Sequence, residues 1–203
     1  MGWRSMVTVA VVVGAVAFTA GRVWSQDAQG PKMPTPEELA KMMAELAAPA
    51  EQHKALTSRA GAWDSETTMW MDPSGPPTVS KSSSKVTSIC NGLYTLEEHT
   101  GEFMGKPFAG FGIHGWSKEK KQYVSFWCDN VSSTPEVMTG TADATGKVVT
   151  YEGTPMTCMM GEYTPRWVVS YDDADHVTFQ HMSKMAGMAD FVKEVEVKST
   201  RRK

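Results

Sequence analysis

The chain has 203 residues, a net charge of −3 and 21% charged residues, which leaves no basic footprint for nucleic acid. A hydrophobic fraction of 41% provides for one globular core plus a leader. The three cysteines, Cys90, Cys128 and Cys158, form no CxxC pair and match no zinc spacing, so at least one thiol stays outside any intrachain disulfide.

Residues 1–25 read as a secretory signal peptide: Arg4 supplies the positive start, Met6 to Ala20 the apolar run, and Val23-Trp24-Ser25 the small outer side chains of a cleavage site. The expected location is the periplasm or the exterior, with no stable membrane insertion after cleavage. An uncleaved anchor is the less favoured alternative, because Arg22 interrupts a run that falls short of the ~20 apolar residues needed to span. Residues 26–34 form a polar linker with Gly and Pro. A helical segment follows over 35–60. Thr35-Pro36-Glu37-Glu38 is a capping box with proline in the first turn. Leu39, Met42, Met43 and Leu46 recur at helical spacing, Pro49 breaks the run, and a second short helix is expected over Ala50 to Arg59. This segment either covers one mouth of the following domain or is a solvated stalk.

From Gly61 the helical period stops. Ten strands are expected, separated by turn signals such as Asn91-Gly92 and Ala144-Thr145-Gly146-Lys147. The fold class is therefore mainly β. Residues 61–203 form one antiparallel meander that closes into a β-barrel of about ten strands, because closure removes its edges. Such a barrel is wide enough for a small ligand. Phe108 to Trp116 and Lys121 to Asp129 make a hairpin around a polar tip. Pairing Trp116 with Lys121 sets His114 opposite Tyr123, Gly112 opposite Ser125 and Gly110 opposite Trp127. The other face pairs Ile113 with Val124 and Phe111 with Phe126, and is purely apolar. One of the two faces must then be covered, by the helical segment or by a second copy of the chain in a homodimer.

Gly61-Ala62-Trp63 is a G-x-W after a short helix, with Arg201 near the C-terminus. Together with GEFMGKPFAGFGIHGW, KKQYVSFWCDN and STRRK, the stretch from about His53 to Lys203 resembles a bacterial family known as domain of unknown function 1579. The resemblance implies a lipocalin-like barrel whose floor Trp63 closes, with an arginine of the last strand packed on it, Arg201 first and Arg202 second. It implies no established activity.

The expected function is non-covalent binding of a small apolar or amphiphilic molecule in the barrel. Trp127, Tyr123 and Met69 would supply apolar surface, and His114 and Asp129 would orient the ligand. Ser125 and Glu98 complete the ligand-binding set. No cofactor follows from the residues. Besides a self-associating envelope protein with a filled barrel and no ligand, two alternatives stay open. One is a soft-metal (copper) or haem site on His and Met, since Met156, Cys158, Met159 and Met160 cluster, as do His181, Met182, Met185 and Met188. The other is a hydrolase-like enzyme using Glu98, His114 or Asp129 as acid–base groups. No GxSxG, HExxH or P-loop accompanies them, so neither a catalytic residue nor a metal ligand is assigned. Cys128 and Cys158 can pair only if their strands adjoin.

Overall fold

Small and aromatic residues alternate with polar ones along almost every segment after Gly61, and that period of two builds a sheet wall with one face inward. The computed structural model describes residues 33–72 and 74–203. The expected signal peptide, its expected cleavage site and most of the expected linker lie outside the described residues. Among the described residues no helix is long and apolar enough to cross a membrane.

Helix α1 (Pro36–Ala47) opens with the expected box: the Glu38 amide donates to Thr35 Oγ1 at 3.2 Å and the Thr35 amide to Glu38 Oε2 at 2.7 Å. Among the described residues, α1 buries no side chain. The covering element is the shorter α2 (Glu51–Thr57), which buries His53 and Leu56 and lies against β3 (Tyr94–Phe103) and β4 (Lys106–Ser117). The Ala50 amide donates to His53 Nδ1 at 2.9 Å, and burial holds that imidazole below its ordinary pKa.

The remaining strands are β1 (Gly61–Met69), β2 (Thr78–Ile89), β5 (Gln122–Asp129), β6 (Glu136–Ala142), β7 (Val148–Gly153), β8 (Met156–Cys158), β9 (Gly161–Tyr171), β10 (His176–Met185) and β11 (Val192–Arg201). Neighbours run antiparallel in sequence order, β1 pairs with β11, and β7 pairs with β9, closing a ten-strand barrel. The expected strand over Val148 to Met156 is split at Thr154-Pro155, and its end becomes β8, an extra strand on β9. β5 and β8 are not neighbours, and all three cysteines are free.

The barrel has two unlike halves. At the α2 end, Leu56, Tyr123, Met138, Val149, Tyr151 and Trp167 form a packed core. Trp63 closes the floor there, 3% exposed, with its Nε1–H donating to Arg59 O at 3.0 Å. The Arg201 guanidinium stacks 4.3 Å from the Trp63 ring and donates to Ala60 O, Ser58 O and Ala174 O. It thereby stitches the last strand to the α2–β1 junction.

The β4–β5 hairpin corrects the expected register by two residues. Ser117 pairs with Gln122 across a Lys118-Glu119-Lys120-Lys121 tip, and Lys121 takes a left-handed φ of 50° to close it. Trp116 therefore faces Tyr123, His114 faces Ser125, Gly112 faces Trp127 and Gly110 faces Asp129. A two-residue slip keeps parity, so each face keeps its members. The mixed face turns inward. The apolar face turns out, with Phe111 48%, Ile113 40%, Phe126 37% and Val137 62% exposed.

Candidate functional site

The inner wall is asymmetric. On β1, β2 and β11 it carries small hydroxyls: Ser65 bonds Ser199 at 2.7 Å and Thr67 bonds Ser82 at 2.9 Å. On β4 and β5 it carries rings. Phe108 stacks on Trp127 at 6.4 Å with 18° between planes, and His99 meets Trp127 edge-on at 6.2 Å. Glycine makes room for these rings. A Cβ on Gly110 would lie 2.3 Å from Trp127 Cζ2, and one on Gly112 would lie 2.6 Å from His114 Nε2.

Two acid–histidine clusters project into this lumen. In the first, Glu97 Oε2 lies 3.4 Å from His114 Nε2, Glu97 Oε1 lies 3.7 Å from His99 Nδ1, and His114 Nδ1 meets Ser125 Oγ at 2.8 Å. A carboxylate only accepts, so the His114 Nε2 that faces Glu97 carries a proton. Burial pushes the Glu97 carboxyl up, but the two histidines outweigh it and hold it well below the usual carboxylate range. In the second cluster His181 lies 3.4 Å from Glu136 Oε1 and 3.3 Å from Glu194 Oε2, and Ser183 donates to Glu194 at 2.5 Å. β6 and β10 are separated by β7 and β9, so the Glu136–His181 contact crosses the lumen. Burial drives the His181 imidazole down, yet the two carboxylates carry it up to about 9. Two polar atoms in this region are buried without a partner among the described residues: Glu136 Oε2 and Trp167 Nε1.

Residues 48–201 match a family described as "Protein of unknown function (DUF1579)". The chain belongs to this family. No curated protein matches it. Among solved structures, this DUF1579 barrel is similar to Rv2717c from M. tuberculosis, with 14% identity and a TM-score of 0.56 over 77% of this chain and 100% of that one. It is also similar to the S-type phycobiliprotein lyase CPES from Guillardia theta, with 9% identity and a TM-score of 0.52 over 78% of this chain and 97% of that one. At such identities the likeness is one of fold.

The residues expected to bind a ligand in the DUF1579 barrel are not all in one place. His114, Trp127 and Ser125 lie together on the inner wall, and Met69 ends β1 at the rim away from α2. Tyr123 belongs to the packed half, against Trp116 at 4.7 Å and Tyr151 at 6.3 Å. Asp129 is already committed: Oδ2 accepts from Trp127 Nε1 at 2.9 Å, while Oδ1 accepts from the Val131 and Ser132 amides. Glu98 is misplaced by the sequence reading. It pairs with Lys85 and Phe111 on the outer face and is exposed, while Glu97, its neighbour of opposite parity, points in. Trp63 and Arg201 stand together at the floor.

Ser125, His114 and Glu97 form a Ser–His–acid chain, but its surroundings do not suit acyl transfer. Ser125 is 3% exposed beside Met138, and the antiparallel ladders of β4, β5 and β6 take up the nearby amides that would hold an oxyanion. Among the described residues no group of three His, Cys, Asp or Glu gathers to hold a metal ion. The methionine spacing on β10 also splits: Met182 and Met185 fall on opposite faces, and Met188 lies beyond the strand. Met159 and Met160 are exposed.

Proposed function

We propose that this DUF1579 protein is an exported barrel that binds a small, partly apolar molecule in the half of its lumen away from α2. One observation carries the reading. Glu97, His114 and His181 sit on the inner wall of a closed barrel yet keep 27%, 21% and 19% of their side chains accessible. A group so placed meets solvent only through the lumen, which supports a hollow rather than a filled interior. The Phe108–Trp127 stack offers a flat apolar wall and the hydroxyls of β1, β2 and β11 offer adaptable hydrogen bonds, a composition suited to ligand pockets. Orientation falls to His99 and Glu97 rather than Asp129, whose oxygens are in use. Export is supported by the residue pattern over 1–25. The fold shared with a phycobiliprotein lyase adds no residue roles at 9% identity.

Native mass spectrometry of the protein purified from its own source tests this. A retained organic molecule at one per chain, lost in Trp127→Ala with the fold intact, is the expected result. A bare chain mass in every preparation, or a retained molecule indifferent to Trp127→Ala, sinks the proposal.

A further inference from the structure

A cavity lies at the α2 end of the barrel, where α2 meets the β6–β7 and β9–β10 turns. It measures about 500 Å3, within the roughly 300–1,000 Å3 of ligand pockets. Its walls are mostly apolar: Ala55 and Leu56 from α2, and the rings of Tyr123 and Tyr171 from the barrel.

The charges around it are not equivalent. Arg201 is consumed by the floor, with its donors on Ala60 O, Ser58 O and Asp175. The two carboxylates are also consumed. Asp172 accepts from Thr178 Oγ1 at 2.8 Å, and Asp173 accepts from the Asp175 amide at 2.7 Å and meets His176 Nδ1 at 2.9 Å. Two cations retain spare donors. Arg59 lies 4.7 Å over the Tyr171 ring and, among the described residues, spends only Nη1, on Asp173 O at 2.5 Å. Lys147 is exposed and its ammonium has no partner among the described residues, while its carbonyl is bonded to the Tyr171 amide at 2.8 Å. Both cations therefore bracket Tyr171 at the edge of an apolar hollow.

We propose that this pocket is a second ligand site, which takes a small carboxylate with a flat apolar body. The carboxylate would sit on Arg59 and Lys147, and the body would lie against Leu56 and the two tyrosines. Burial raises the Tyr123 and Tyr171 phenols, so both stay neutral donors near the anion. This site is independent of the lumen reading, since none of the lumen residues invoked above lines it.

Isothermal titration of the full chain with 2-naphthoate, with neutral 2-naphthylmethanol and with inorganic phosphate tests the assignment. Naphthoate is expected to bind one per chain and at least about tenfold more tightly than either comparison, as a charge-assisted contact plus apolar burial predicts. Lys147→Gln and Arg59→Gln are each expected to weaken naphthoate about tenfold, and Trp127→Ala to leave it unchanged. Lys147 makes no side-chain contact that folding needs, so its variant decides the matter if Arg59→Gln fails to fold. The proposal is overturned if naphthoate does not bind, if the alcohol or phosphate binds as well, if Lys147→Gln has no effect, or if Trp127→Ala removes the binding.

Discussion

Removing the charge of His181 should flatten the alkaline limb of the stability profile. His181 is wedged between Glu136 and Glu194 with 19% of its side chain accessible, so solvent screens the trio only in part. Its pKa rises from 6.5 to about 9, which corresponds to at most about 3 kcal/mol of stability. Because the folded pKa lies above the unfolded one, this stability is full below about pH 6.5 and drains away as pH rises through 9. For a chain of this size it amounts to a fall of roughly 6–12 °C in Tm across that window. Thermal melts of the native sequence and of His181→Gln at half-unit steps from pH 6 to 10 measure it. The variant should start lower at pH 6 and change little up to pH 9. Parallel curves for the two proteins, or an NMR titration that finds the His181 imidazole at its ordinary 6.5, would refute the reasoning.

Three further outcomes follow from the same contacts. Arg201→Ala removes the stack on Trp63 and several carbonyl bonds, and should cost roughly 2–4 kcal/mol by urea denaturation. Arg201→Lys should recover less than half of that loss, since an ammonium cannot reach the same fork of acceptors. Glu97→Gln should blunt acid unfolding. The Glu97 carboxyl is held below its ordinary pKa, so its contribution is present above about pH 4.5 and is lost as pH falls, and Gln has no such loss. Leu56→Ala opens a void under α2 and should cost about 2–5 kcal/mol, read from chemical denaturation.

Much of the barrel was legible because its period is two. Strand bounds such as Thr78–Ile89 and the G-x-W floor need only local alternation and one motif. Parity also separated Trp127 and His114 from Phe111 and Phe126, and a two-residue register slip could not undo it. What parity cannot supply is which face turns in. Both faces of the hairpin hold large rings, and the choice rests on whether the barrel stays hollow, a property of ten strands together. Glu97 was nonetheless within reach: it pairs with Gly112, on the same face as His114. The Glu136–His181 contact was out of reach, because it joins strands β6 and β10, which are neighbours neither in sequence nor in the sheet. Asp129 shows the opposite limit: the sequence places an acid beside Trp127 but not the Val131 and Ser132 amides that occupy it.

The hollow lumen is the central claim, and a neutral apolar fluorophore, N-phenyl-1-naphthylamine, tests it most directly. Ser82 lies on the hydroxyl-bearing inner wall of β2, so Ser82→Phe fills the space without touching the packed half. Phe111→Ser strips the rival surface outside the barrel. Titration should show one fluorophore per chain, with energy transfer from tryptophan. That binding should disappear in Ser82→Phe at an unchanged Tm and persist in Phe111→Ser. Binding that survives Ser82→Phe and is lost in Phe111→Ser would place the molecule on the outer face and contradict the account.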